Sequence, residues 1–136
     1  MQRNIDKDGV DAGWRNFYST AKARAKHRKL LWKLDFETFK IKSSCSCFYC
    51  GFVQSPHENY YTYTYNNKKQ TNRRYVMGNG LDRIDSNGHY TPYNVVACCK
   101  WCNQMKNSLT HTEFLAHISR IYALHCIPKQ LDLFAA

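Results

Sequence analysis

Two short cysteine pairs carry the clearest chemistry in this chain: Cys47-Phe48-Tyr49-Cys50-Gly51 and Cys99-Lys100-Trp101-Cys102, separated by residues 51–98. A gap of two residues lets one tight turn aim two thiolates at a single ion. Zinc takes four such ligands in a tetrahedron, so the two knuckles together predict one structural zinc site. Cys45 and Cys98 stand directly beside the knuckles, but Cys45-x-Cys47 and Cys98-x3-Cys102 fit the spacing less well. Cys126 reads as a small buried hydrophobe.

The elements that must position these thiols follow from pattern. Residues 80–114 read as a short strand, a turn-rich loop, a second strand and a helix beginning near Asn103. Residues 1–11 are polar and read as a flexible lead-in to a single domain over 12–136. From Ala12 to about Arg28, Trp14, Phe17, Tyr18, Ala21 and Ala25 recur at three- and four-residue steps, the signature of an amphipathic helix. Asp35 is placed to cap a short helix through Phe36 and Phe39. The alternation Tyr61-Thr62-Tyr63-Thr64-Tyr65 predicts a strand, and Asn66-Asn67 a turn back towards residues 74–77. Thr110-x-x-Glu113 is a capping box ahead of a helix carrying Phe114, Leu115, Ile118, Ile121 and Tyr122, which Pro128 stops. His111, His117 and His125 read as surface or core residues rather than ligands.

Charge indicates the partner. With 20 Lys plus Arg against 10 Asp plus Glu, the 136-residue chain carries a formal +10, which predicts a polyanion. Lys22, Arg24, Lys26 and Arg28 on the first helix are the expected phosphate contacts. Lys68, Lys69, Arg73 and Arg74, beside tyrosines that could stack on bases, form a second candidate surface. Seven cysteines, no N-terminal apolar segment and no run long enough to span a bilayer predict a soluble intracellular protein, not a secreted or membrane one.

Leu81-Asp82-Arg83-Ile84-Asp85, Gly88-His89-Tyr90, Asn94-Val95-Val96 and Cys99-x2-Cys102-Asn103-x2-Lys106 together resemble the HNH endonuclease motif. With the upstream basic stretch and CFYCG, the resemblance extends over about residues 14–122 and is closest to phage and mobile-element members. It implies an α+β fold: a small zinc-stapled ββα-metal domain with a basic N-terminal helix and a C-terminal helix. Asp82 and Asn103 would bind a catalytic Mg²⁺ or Mn²⁺, hard ions suited to oxygen donors. Asn94 would steady the loop between the strands, and Lys106 would add a nucleic-acid contact. The family commonly has a histidine general base directly after the metal-binding Asp, and here that place holds Arg83, which stays protonated. Asp85, three residues after Asp82, and His89 are the alternative bases. The implied activity is divalent-metal-dependent hydrolysis of phosphodiester bonds in double-stranded DNA, by a monomer or a homodimer. The alternative is an HNH-fold nucleic-acid-binding module that has lost catalysis.

Overall fold

In a computed structural model of the chain, residues 7–53, 62–65, 68–71 and 78–127 are described; the side chains of 7–10, 12, 62–65 and 68–71 are not. Helix α1 spans Lys7–His27 and so begins before the expected Ala12. Asp11 pairs with Arg15 one turn on (3.0 Å) and with Lys40 of the next helix (3.6 Å). The apolar stripe is inward: Trp14 and Ala25 are buried, and Phe17, Tyr18 and Ala21 pack beside them. At its end Lys29 takes a left-handed φ of 59°, and Leu30 N–H donates to Ala25 O at 3.0 Å. That is the Schellman pattern, closed by the apolar contact between Leu30 and the cluster containing Ala25.

Helix α2, Phe36–Ser43, starts where the Asp35 carboxylate accepts from Thr38 N–H at 2.7 Å. Phe39, fully buried, seats it on α1 with its ring 5.1 Å from Phe17 and 5.5 Å from Tyr18, both edge-on. Tyr18 donates its hydroxyl to Leu34 O (2.8 Å), which leaves no wet polar group in this aromatic layer.

Strands β1 (Thr62–Tyr65) and β2 (Lys68–Thr71) pair antiparallel as a separate hairpin. The return strand therefore comes earlier in the chain than the expected 74–77, and residues 72–77 lie outside the described residues. The second sheet pairs β3 (Gly80–Arg83) with β4 (Val95–Cys98), Asp82 facing Val96. Leu81 and Val95 enter the core shared with Leu34, Tyr90 and Trp32. Trp32 and Tyr90 also form a parallel bridge, so the connection after α1 lies along the β3–β4 loop.

Helix α3 (Lys100–Lys106) starts three residues before the expected Asn103, because its N-cap is Cys99, whose sulfur faces Cys102 N–H at 3.5 Å. Helix α4 (His111–His125) has the full capping box, with Thr110 Oγ accepting from Glu113 N–H and Glu113 Oε2 accepting from Thr110 N–H. Of its apolar stripe only Phe114 is buried. Cys126, expected inside, is exposed because it caps the free end of α4 beyond the last packed turn.

Candidate active site and metal centre

The first knuckle reaches the second by docking on the sheet. Phe48 N–H donates to Ala97 O (2.9 Å), two residues before Cys99, while Gly51 N–H closes the turn onto Cys47 O at 2.8 Å. Gly51 sits at φ 75°, a conformation that a side chain would strain. The sulfurs of Cys47, Cys50, Cys99 and Cys102 consequently all lie within 4.8 Å of one another. Cys50 Sγ and Cys99 Sγ are 3.7 Å apart. A tetrahedron with Zn–S bonds of about 2.3 Å has an edge of about 3.8 Å, so this cluster fits a zinc ion. Burial pushes the Cys47 thiol up, but the backbone N–H groups of Cys99, Cys50 and Tyr49 outweigh it and hold the thiol down at about 6. Burial raises Cys50, Cys102 and the neighbouring Cys98, so the ligands Cys50 and Cys102 must give up protons to a metal.

Strand alternation separates Asp82 from its neighbours. Leu81 and Arg83 face the aromatic core and Tyr90, so Asp82 faces the opposite side, where α3 and the first knuckle meet. It is 6% exposed. Tyr49, lying between the first two cysteines, donates its hydroxyl to Asp82 Oδ2 at 2.7 Å. Lys106, fully buried, places its ammonium 3.1 Å from the same oxygen and 3.4 Å from Oδ1. The remaining Lys106 donors go to Arg83 O (2.9 Å) and Ser86 Oγ (3.1 Å). The phosphate contact expected of Lys106 is thereby replaced by an internal one, since a side chain with no exposed surface and an ammonium fully occupied by oxygens meets no solvent-borne ligand. Burial and the Asp82 carboxylate push the Tyr49 phenol upward, which keeps it a donor.

Asn103 is exposed on α3, three residues before Lys106 and therefore on an adjoining face of that helix. Its side chain makes no hydrogen bond among the described residues. Asn94 braces the β3–β4 loop: Oδ1 accepts from Asp85 N–H (2.9 Å), and Nδ2 donates to Asp85 O (3.1 Å) and His89 O (3.0 Å). Gly88 is required beside it, because a Cβ there would stand 2.7 Å from Asn94 Nδ2.

Arg83 is committed to the same loop. Its Nη1 donates to Ser86 O at 2.7 Å and Gly88 O at 2.6 Å, and its guanidinium lies 5.6 Å from the Tyr90 ring centre. Asp85 Oδ1 accepts from Asn87 N–H at 2.9 Å. His89 Nδ1 accepts from Leu31 N–H at 3.2 Å, which ties the ring to the connection after α1.

The basic residues of α1 are exposed, in two rows. Lys22 and Lys26, four apart, share one flank; Arg24 and Arg28 share the other, and Arg28 bonds the Tyr90 hydroxyl. Lys68 and Lys69 fall on β2, with side chains outside the described set, and Arg73 and Arg74 lie outside the described residues. Tyr49 and Ser86 were not legible as site residues: Tyr49 is hidden inside a zinc knuckle, and Ser86 in a turn-rich loop. Both matter only because the fold brings them to Asp82 and Lys106.

Helices α1–α4, the β3–β4 hairpin and the cysteine cluster make this a small α+β domain of the HNH-like fold. Among solved structures, the chain is similar to the rare-cutting HNH restriction endonuclease PacI, at 21% identity over 93% of this chain and 95% of that one, with a TM-score of 0.51. No known family matches the sequence, and no curated protein does. Among the described residues no helix is long and apolar enough to cross a membrane.

Proposed function

We propose that the chain is a zinc-stapled, divalent-metal-dependent endonuclease that hydrolyses phosphodiester bonds in double-stranded DNA. The observation that carries this reading is the buried Asp82 carboxylate, held in one orientation by Tyr49 and Lys106 at the seam of an HNH-like β3–β4–α3 unit. A carboxylate oxygen and the exposed amide of Asn103 are hard donors, which suit Mg²⁺ or Mn²⁺. Such an ion, when bound, polarises a phosphoryl oxygen and offsets charge on the leaving group.

The protein's own part is to orient and to move a proton. Asp82 and Asn103 hold the ion, and Asn94 keeps the loop in register. For the base that takes the proton of the attacking water, His89 has its basic Nδ1 occupied by Leu31 N–H. Asp85 leaves Oδ2 without a hydrogen bond among the described residues, which favours Asp85. The exposed cations of α1, with those of residues 68–74, hold the phosphate backbone, a grip that reads little sequence. PacI, described as a DNA-perturbing restriction endonuclease, supports DNA as the substrate.

The test is cleavage of supercoiled plasmid with and without Mg²⁺ or Mn²⁺. The Asp82→Asn variant is preferable to Asp82→Ala, because Ala would strand the buried Lys106 ammonium. Cleavage should need the divalent ion and vanish in Asp82→Asn and Asn103→Ala while zinc content stays unchanged. A neutral limb in the pH profile that disappears in His89→Ala would move the base from Asp85 to His89. A second reading, a binding module that has lost catalysis, is favoured by one observation: Arg83 stands where the family keeps its base and is used as a loop brace. Absence of cleavage on duplex, single-stranded or branched DNA and on RNA, with DNA binding intact, would establish that reading instead.

A further inference from the structure

We propose that Lys106 is a positioning residue that sets how Asp82 takes a divalent cation: through Oδ1 alone, and loosely. The inference rests on the metal-dependent reading above.

The geometry around the carboxylate is asymmetric. Oδ2 receives the Tyr49 hydroxyl at 2.7 Å and the Lys106 ammonium at 3.1 Å, which uses both of its lone-pair directions. Oδ1 has only the ammonium at 3.4 Å, beyond the ordinary N–H···O range of about 2.7–3.2 Å. A cation therefore finds one open oxygen, and bidentate capture would require breaking the Tyr49 or Lys106 contact. The ammonium is itself anchored by Arg83 O and Ser86 Oγ, and Ser86 Oγ in turn donates to Leu109 O at 3.0 Å. It cannot swing away, and it has no exposed surface from which water could screen it. A fixed positive charge beside the ligand opposes a second one, strongly so where screening is weak. The pair thus orients the carboxylate and limits its affinity, so the ion exchanges while the zinc stays.

The test uses the full zinc-loaded chain and counts free Mn²⁺ by electron paramagnetic resonance, with Asp82→Asn defining binding unrelated to the site. Lys106→Met, of similar length without charge, should bind Mn²⁺ at least about tenfold more tightly than the parent. Lys106→Gln, which keeps a donor towards Arg83 O and Ser86 Oγ, should shift in the same direction. Unchanged or weaker binding in either variant, folded and zinc-replete, overturns the proposal. Should both variants lose zinc and fold, the parent decides by difference infrared spectroscopy on Mg²⁺ addition. A monodentate carboxylate signature that is absent in Asp82→Asn supports the proposal, and a bidentate one overturns it. Asp82-dependent binding that ignores Lys106 removes this inference alone. Absence of any Asp82-dependent binding removes the catalytic ion from the proposed function as well.

Discussion

Arg83 shows how one side chain can change occupation within a motif. Next to Asp82, at the place where the family motif carries its base, it looks like a failed base, yet strand alternation turns it to the opposite face, where it ties Ser86 O and Gly88 O and covers Tyr90. Charge-assisted hydrogen bonds contribute more than neutral ones, so Arg83→Ala should destabilise the zinc-loaded protein by about 2 kcal/mol or more, read from urea unfolding. Arg83→His would lose the same bonds, so its effect on cleavage must be compared with Arg83→Ala rather than with the parent alone. The loop-bracing place of Asn94 was legible because its position in the motif is local. The inward turn of Lys106 was not, since it depends on a partner on β3 and a loop hydroxyl that only the folded chain supplies.

At the scale of elements, helices with a strong three-to-four periodicity and an oxygen cap were readable, and the ends without such caps were not. Helix α3 begins on a thiol, outside the usual Ser/Thr/Asp/Asn signal, and α1 begins at Lys7, ahead of its apolar stripe. The capping box of α4 gives a direct check: Thr110→Ala should cost about 1 kcal/mol, measured by thermal or urea unfolding. Hydrogen bonds from the Thr110 backbone and side chain hold the Glu113 carboxyl below its ordinary value. A depressed folded value stabilises above the ordinary carboxylate range, and that stabilisation is lost as pH falls through the folded value. The melting-temperature gap between parent and Glu113→Gln should therefore be widest near neutrality and close in acid.

For the whole molecule, the cysteine cluster joins what the chain separates. The cysteine cluster links the turn after α2 to the start of α3, so a strong chelator should unfold the protein cooperatively, followed by circular dichroism, and Cys99→Ser should remove both a ligand and the α3 cap. Because binding requires thiolates, zinc should be released on acidification, not on alkalinisation. The formal +10 predicts DNA affinity that falls steeply with salt. Replacing Lys22, Lys26, Arg24 and Arg28 with Gln should flatten that slope, and comparing the two flanks separately would show which row meets the backbone.

Asn79 has a consequence for how the gene could vary. Its backbone N–H meets Ser43 O at 2.7 Å, and its amide meets Cys45 O at 2.9 Å and Phe52 O at 3.3 Å, so Phe52 and Asn79 are tied together at one point. The β1–β2 hairpin falls in the chain between Phe52 and Asn79 and forms a sheet of its own, separate from β3–β4. Doubling a flexible insert costs only about 0.6 kcal/mol of closure entropy. A longer segment between these two positions should therefore leave Asp82, Lys106 and the cysteines in place.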